Sequence, residues 1–189
     1  KIKGMAKFQL HGGAAISRAD SDEYNPYVLQ TGDNYLVLVF ASNRSCGNCS
    51  GHNLFIARSA NAYNNDAVFP AFDNPAVMTI AGTPLNYTSP IAFAPTLSGN
   101  NVRVFLTNAG GTVQQTGVMT PGGSYDTTLT TIANTAGQNS TVVGIEFTGT
   151  KLYTRQNGTV YSFNHASAAD PLVAMATGQT ATSLASVDG

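Results

Sequence analysis

The chain is short of charge. Only 10% of its 189 residues are Asp, Glu, Lys or Arg, against roughly a quarter in an ordinary soluble domain. Nine basic and ten acidic side chains leave a net charge of −1, so there is no basic field to hold nucleic acid or an anionic membrane. No apolar run approaches the roughly 20 residues that span a bilayer as a helix. There is no Trp, and the two Cys cannot supply a dense disulfide framework. Helix signals are also missing: nowhere do apolar residues recur at i, i+3, i+4 and i+7 through good helix formers.

Neutral residues fill these gaps, with 24 Ala, 22 Thr, 19 Gly, 17 Asn and 14 Ser. Eight Tyr, nine Phe and a hydrophobic content of 42% exclude a disordered chain. Pro and Gly punctuate the sequence about every ten residues. The runs between them are rich in Val, Ile, Tyr, Phe and Thr, the spacing of an all-β protein. Such a neutral, Thr- and Asn-rich composition fits an exported protein, and a start at Lys1 without an initiator Met is expected of a processed or excerpted chain. Asn43, Asn48, Asn86, Asn139 and Asn157 each open an Asn-x-Ser/Thr triplet. In a eukaryotic secretory protein these are glycosylation acceptors; the plainer reading is that a chain this rich in Asn, Ser and Thr makes such triplets by chance.

Three hairpins are legible. Residues 151–163 carry alternating side chains around Asn157-Gly158, the pair suited to a type I′ turn. Leu152 and Thr154 are expected on one face, Tyr153 and Arg155 on the other. Residues 35–42 are nearly all apolar, the pattern of a strand covered on both faces, and they return as 53–58. Residues 101–107 return through 112–119. Each first arm follows a turn containing Gly32, Gly99 or Gly149, with a short apolar segment before it. The final eight residues, 182–189, repeat the shape of 142–149. From Gly32 to Gly99, Gly149 and Gly189 the spacings are 67, 50 and 40 residues, a drifting period of the kind seen in propeller blades.

Tyr24-Asn25-Pro26-Tyr27-Val28, Gly32-Asp33-Asn34-Tyr35-Leu36-Val37, Phe40-Ala41-Ser42-Asn43-Arg44-Ser45 and Asn53-Leu54-Phe55-Ile56-Ala57 together resemble a repeat of the TolB-type β-propeller. The likeness is best over residues 24–59, weaker around Gly99, and generic around Gly149. It implies an all-β fold of four-stranded antiparallel, blade-like units at about 24–80, 88–135 and 141–181, with a further unit begun at 182–189. An incomplete or partial propeller is the expected architecture, and the length then reads as a cut. The family includes periplasmic assembly factors, surface lipoproteins and non-catalytic domains of peptidases, so the resemblance implies architecture and leaves activity open.

Few residues promise chemistry. Cys46-Gly47-Asn48-Cys49 with His52 reads as a short disulfide stapling a hairpin loop, as free thiols, or as a metal clip with three local ligands where zinc wants four. A redox C-x-x-C normally opens a helix, and none is expected here. Asp20, Asp22 and Glu23 make an oxygen-rich loop of the sort Ca²⁺ accepts, although the Gly and distal Glu of a full calcium loop are missing. A solvated loop is the plainer reading, and no other cofactor is expected. His11, His52 and His165 stand in no motif, and Glu146 alone among the acids is flanked by strand pattern. There is no G-x-S-x-G, H-E-x-x-H or phosphate loop.

Surface Tyr remain: Tyr24, Tyr27, Tyr63 and Tyr87, with Tyr125 and Tyr161, are either aromatic platforms or strand packing. The expectation is a non-enzymatic, exported or cell-surface module binding a protein or glycan partner. The alternative is a self-assembling surface, filament or coat subunit that packs against identical copies. A propeller-type glycoside hydrolase is a distant third.

Overall fold

The computed structural model describes residues 16–64, 70–146 and 148–176. The segment 182–189, singled out above as the start of a further unit, lies outside them, as do His11 and residues 177–181. The fold is all-β, with a single-turn 3-10 element at Ala133–Thr135 between the second and third sheets.

The first sheet holds β1 (Glu23–Gln30), β2 (Leu36–Ser42), β3 (Asn53–Arg58) and the short β4 (Ala76–Val77), in that spatial order. Two further pairs of residues follow, β5 (Thr79–Ile80) and β6 (Thr83–Pro84). A second sheet is built from β7 (Phe93–Ser98), β8 (Asn101–Thr107) and β9 (Val113–Thr116). Between β9 and the last strand of that sheet, β10 (Asp126–Thr127) turns back to pair in parallel with β5, and β11 (Leu129–Thr131) then completes the order β11-β9-β8-β7. The third sheet is β12 (Ser140–Ile145), β13 (Lys151–Gln156), β14 (Thr159–Asn164) and β15 (Val173–Ala176). All three four-stranded sheets are antiparallel throughout. Among the described residues they close into neither a barrel nor a propeller ring.

Local chemistry explains the strand positions. Pro26 and Pro95 both fall on edge strands, β1 and β7, where a missing N–H breaks no ladder. Beside Pro26, Asn25 adopts φ 51° and the β1–β2 register slips between Tyr24 and Tyr27, a bulge that a short polar side chain tolerates. Asn157 and Gly158 take φ 47° and 78° and join β13 to β14 in the tight turn their sequence suggests. Leu152 and Thr154 are buried while Tyr153 and Arg155 are half-exposed, as alternation requires.

The sheets stack face to face, with β7 lying against both β1 and β12. Between the first and second sheets is the larger apolar core, which includes Val37, Val39, Leu54, Ile56, Val104 and Leu106. A smaller core fills the seam between the second and third sheets, with Phe105, Val113, Val142, Leu152 and Phe163. The outer face of the first sheet is also covered: Leu36, Leu38, Phe40 and Phe55 pack under Phe72, with Ile16, Tyr63 and the two Cys at the margin. Every residue of β2 is therefore buried, which is why its sequence shows no alternation.

Candidate functional site

Antiparallel register brings the starts of β1, β7 and β12 to the same end of the molecule as the β2–β3, β8–β9 and β13–β14 connections. At this end the loop 43–52 is held in three ways. Cys46 and Cys49 are joined by a disulfide, with Cα atoms 5.0 Å apart. Asn86 stitches the loop to the approach to β7: its side-chain oxygen accepts from Ser50 N (2.7 Å) and Asn53 Nδ2 (3.2 Å), and its Nδ2 donates to the Asn48 carbonyl (3.3 Å). His52 and Tyr87 exchange backbone hydrogen bonds of 2.7 and 3.0 Å. Gly51, at φ 66°, makes this approach possible, because a Cβ there would run into the Tyr87 carbonyl.

Tyr24 completes the rim. Its hydroxyl accepts from Ile91 N at 3.3 Å and shares a hydrogen bond with His52 Nδ1, 2.8 Å away. Tyr27 donates to the Phe93 carbonyl at 3.3 Å. Burial raises the pKa of Tyr24, Tyr27 and Tyr87 above the usual phenol value, which keeps all three neutral hydrogen-bonding groups.

Beyond Tyr87 opens a cleft of about 250 Å³ between the second and third sheets. Its polar walls are Tyr87, Ser89, Thr107, Asn108, Asn139 and Thr141, and among the described residues none that lines it is charged. Two of these groups also shape it. Asn108 Oδ1 accepts from Gly110 N and Thr112 N, both at 2.9 Å, fixing the β8–β9 turn. Thr107 Oγ1 accepts from Val142 N at 2.9 Å and ties β8 to β12. Gly111, at φ 72°, lies so close to the Asn139 side chain that a Cβ would collide with it. Hydroxyls, amides and one phenol in a neutral cleft can bind a ligand by hydrogen bonds and ring contact. Among the described residues its lining includes no carboxylate, imidazole, amine or thiol.

The residues singled out in the sequence separate. Tyr24, Tyr27 and Tyr87 gather along one rim, all packed against the larger core. Tyr63 lies on the opposite face of the first sheet, beside Phe72, with its N–H bonded to the Asn34 carbonyl. Tyr125 takes the packing alternative: it is 6% exposed and belongs to the core, with Gly122 N donating to its hydroxyl at 2.8 Å.

The acidic loop also disperses. Arg18 takes Asp20 through two hydrogen bonds of 2.9 and 2.7 Å. The Asp22 N–H goes to Asn43. Glu23 accepts from Ser21 (2.6 Å), Ser42 (3.1 Å) and Arg44 Nη2 (2.9 Å). Arg44 is itself 5% exposed, lies over the rings of Phe40 and Phe55 at 4.8 and 5.1 Å, and also donates to the Ile16 carbonyl. Asp20, Asp22 and Glu23 thus turn to different partners, and among the described residues no three His, Cys, Asp or Glu are grouped as metal ligands would be.

Sequence reading missed Thr107, Asn108, Asn139 and Thr141 as site residues, and took His52 only as a candidate metal ligand beside Cys46 and Cys49. The one trace of them was the pair of triplets beginning at Asn86 and Asn139, read as chance. No family model, no curated protein and no solved structure matches the chain. No helix among the described residues is long and apolar enough to cross a membrane.

Proposed function

We propose that this chain is a non-enzymatic binding module of the partial β-propeller kind, exported, whose cleft beside Tyr87 takes a neutral glycan. The observation that carries this reading is the cleft's lining, among the described residues, of hydroxyls, amides and a tyrosine ring with no charged side chain. Sugars offer hydroxyls for such groups and an apolar ring face for the phenol. A charged ligand would be desolvated there with no counter-charge. The blade-like reading is supported by three stacked four-stranded meanders whose first strands lie side by side, and by the TolB-type pattern at residues 24–59. The Cys46–Cys49 disulfide is compatible with export into an oxidising compartment.

The test is binding of the intact chain to an array of neutral oligosaccharides, with Tyr87→Ala and Asn139→Ala beside it. Saturable binding that weakens at least about tenfold in both variants, about 1.4 kcal/mol, is the expected result. Binding indifferent to both substitutions removes the cleft from the function. One observation favours the alternative of a self-assembling subunit: Val173 and Met175, on the outermost strand β15, are 55% and 58% exposed. Filaments or large assemblies in sizing, with no glycan bound, would move the function to that edge.

A further inference from the structure

Buried polar atoms need partners, and a group of them in this fold has none among the described residues: Arg103 Nε, Gln115 Oε1, Ser140 Oγ, Thr154 Oγ1, Gln156 Nε2 and His165 Nδ1. Strand alternation places them in one seam. Arg103 shares a face of β8 with Phe105, Gln115 a face of β9 with Val113, Thr154 a face of β13 with Leu152, and Ser140 a face of β12 with Val142. Those four apolar residues form the core between the second and third sheets. Gln156 stands directly opposite Ser140, and the His165 ring lies against Phe105 at 4.5 Å between centroids. Ser140 and Thr154 are 0% exposed and Gln156 8%.

The set is chemically balanced. Arg103 Nε and Gln156 Nε2 are donors, Gln115 Oε1 is an acceptor, and the two hydroxyls are both. His165 Nε2 is 2.8 Å from the Gly149 carbonyl. A carbonyl only accepts, so that nitrogen carries the ring proton and Nδ1 is left as an acceptor. An anion would satisfy Arg103 but meet the lone pairs of Gln115 and His165, and a cation would meet Arg103. Water donates and accepts at once, and needs two to four such partners.

We propose that the seam between the second and third sheets is a built hydration site, holding ordered water in two small groups. One group bridges Ser140, Thr154 and Gln156 near the cleft end, where opposed residues lie roughly 5 Å apart. The other bridges Arg103 and His165 at the far end. The third sheet is therefore docked through solvent as well as through its apolar side chains. The proposal stands independently of the glycan reading.

Thr154→Val in the full chain gives a signed test, because it changes a hydroxyl to a methyl of the same shape. In a hydrated seam the variant strips a partner from bound water, and the melting midpoint falls by roughly 2–4 °C for a chain of this length. In a dry seam it removes an orphaned hydroxyl, and the midpoint rises. Water-to-amide cross-relaxation on the unmodified protein gives a second reading, expected as long-lived contacts at Ser140, Thr154 and Gln156. A higher midpoint in the variant, or no long-lived water at those amides, overturns the proposal.

Discussion

The two seams of this molecule are built differently. Between the first and second sheets, thirteen buried residues among those described, Tyr125 the only one with a polar side-chain atom, form a continuous core. Its margins are tied by Gly32 N to Asn100 Oδ1 (2.8 Å), by Tyr27 to the Phe93 carbonyl, and by the His52–Tyr87 bridge. The strip of β5, β6 and β10 adds a further tie, since Asp126 Oδ1 accepts from Thr79 Oγ1 and Gly82 N at 2.7 and 2.8 Å. The second seam has seven such core residues among those described, together with the six buried polar atoms of Arg103, Gln115, Ser140, Thr154, Gln156 and His165. At about 25 cal/mol per Å² of apolar surface, the first seam, with thirteen described core residues against seven, contributes more stability than the second. The third sheet is thus the part expected to open first, and the cleft lies where it meets the second.

The largest effect should come from emptying each core in turn. Leu106→Ala in the first seam and Leu152→Ala in the second remove side chains that are both 0% exposed, and each should cost about 2–5 kcal/mol. The Leu152 variant belongs at the low end, because polar neighbours let water enter the hole. Hydrogen exchange should rise across all three sheets for Leu106→Ala and only in β12 to β15 for Leu152→Ala. Equal acceleration in β2 and β3 by both variants would erase the distinction between the seams.

A middle effect is expected from the disulfide. Replacing Cys46 and Cys49 together by Ser opens a four-residue loop, worth about 2 kcal/mol if chain entropy governs. Faster exchange should then stay within residues 43–52 and at Tyr87, with the third sheet untouched.

The smallest effect is a pH dependence that differs between the two regions. Burial lowers the pKa of His165 below its ordinary 6.5, and Arg103 adds to this against the pull of the Gly149 carbonyl. The folded state therefore prefers the neutral ring. That contribution is complete above about pH 6.5 and is lost as pH falls below it, when the unfolded chain takes up a proton the fold resists. Glu23 behaves as a carboxylate: burial pushes it up, but hydrogen bonds from Ser21, Arg44, Arg18 N and Ser42 outweigh this and hold it below 4.5. Its contribution persists until pH drops under that value. Acidification should hence loosen β12 to β15 once pH falls below about 6.5 and the first sheet only below about 4.5, read by exchange corrected for its intrinsic pH rate. In His165→Gln the first step should vanish.

Part of this was legible beforehand. Asn157-Gly158 between alternating arms gave the β13–β14 hairpin, and the apolar run at 36–42 gave a strand buried on both faces. The strip of β5, β6 and β10 was not legible, since two-residue strands carry no period to detect. Nor was the cleft, whose walls come from residues 87–92, 107–111 and 139–141. Glu23 and Arg44 are 21 residues apart, so no local pattern joins their ion pair.

The sequence alone determined an all-β chain of neutral surface, cut into hairpins by Gly, Pro and Asn. Period-two alternation is a local property and needs only neighbouring residues to express it. Which faces meet was decided by the tertiary structure. Thr154, Gln156 and Ser140 read identically whether they face solvent or another sheet, because a neutral polar side chain is at home in water and costs free energy only once it is buried. Packing alone placed them inside the weaker seam, and packing placed Tyr87 at a cleft while sending Tyr63 to the far side.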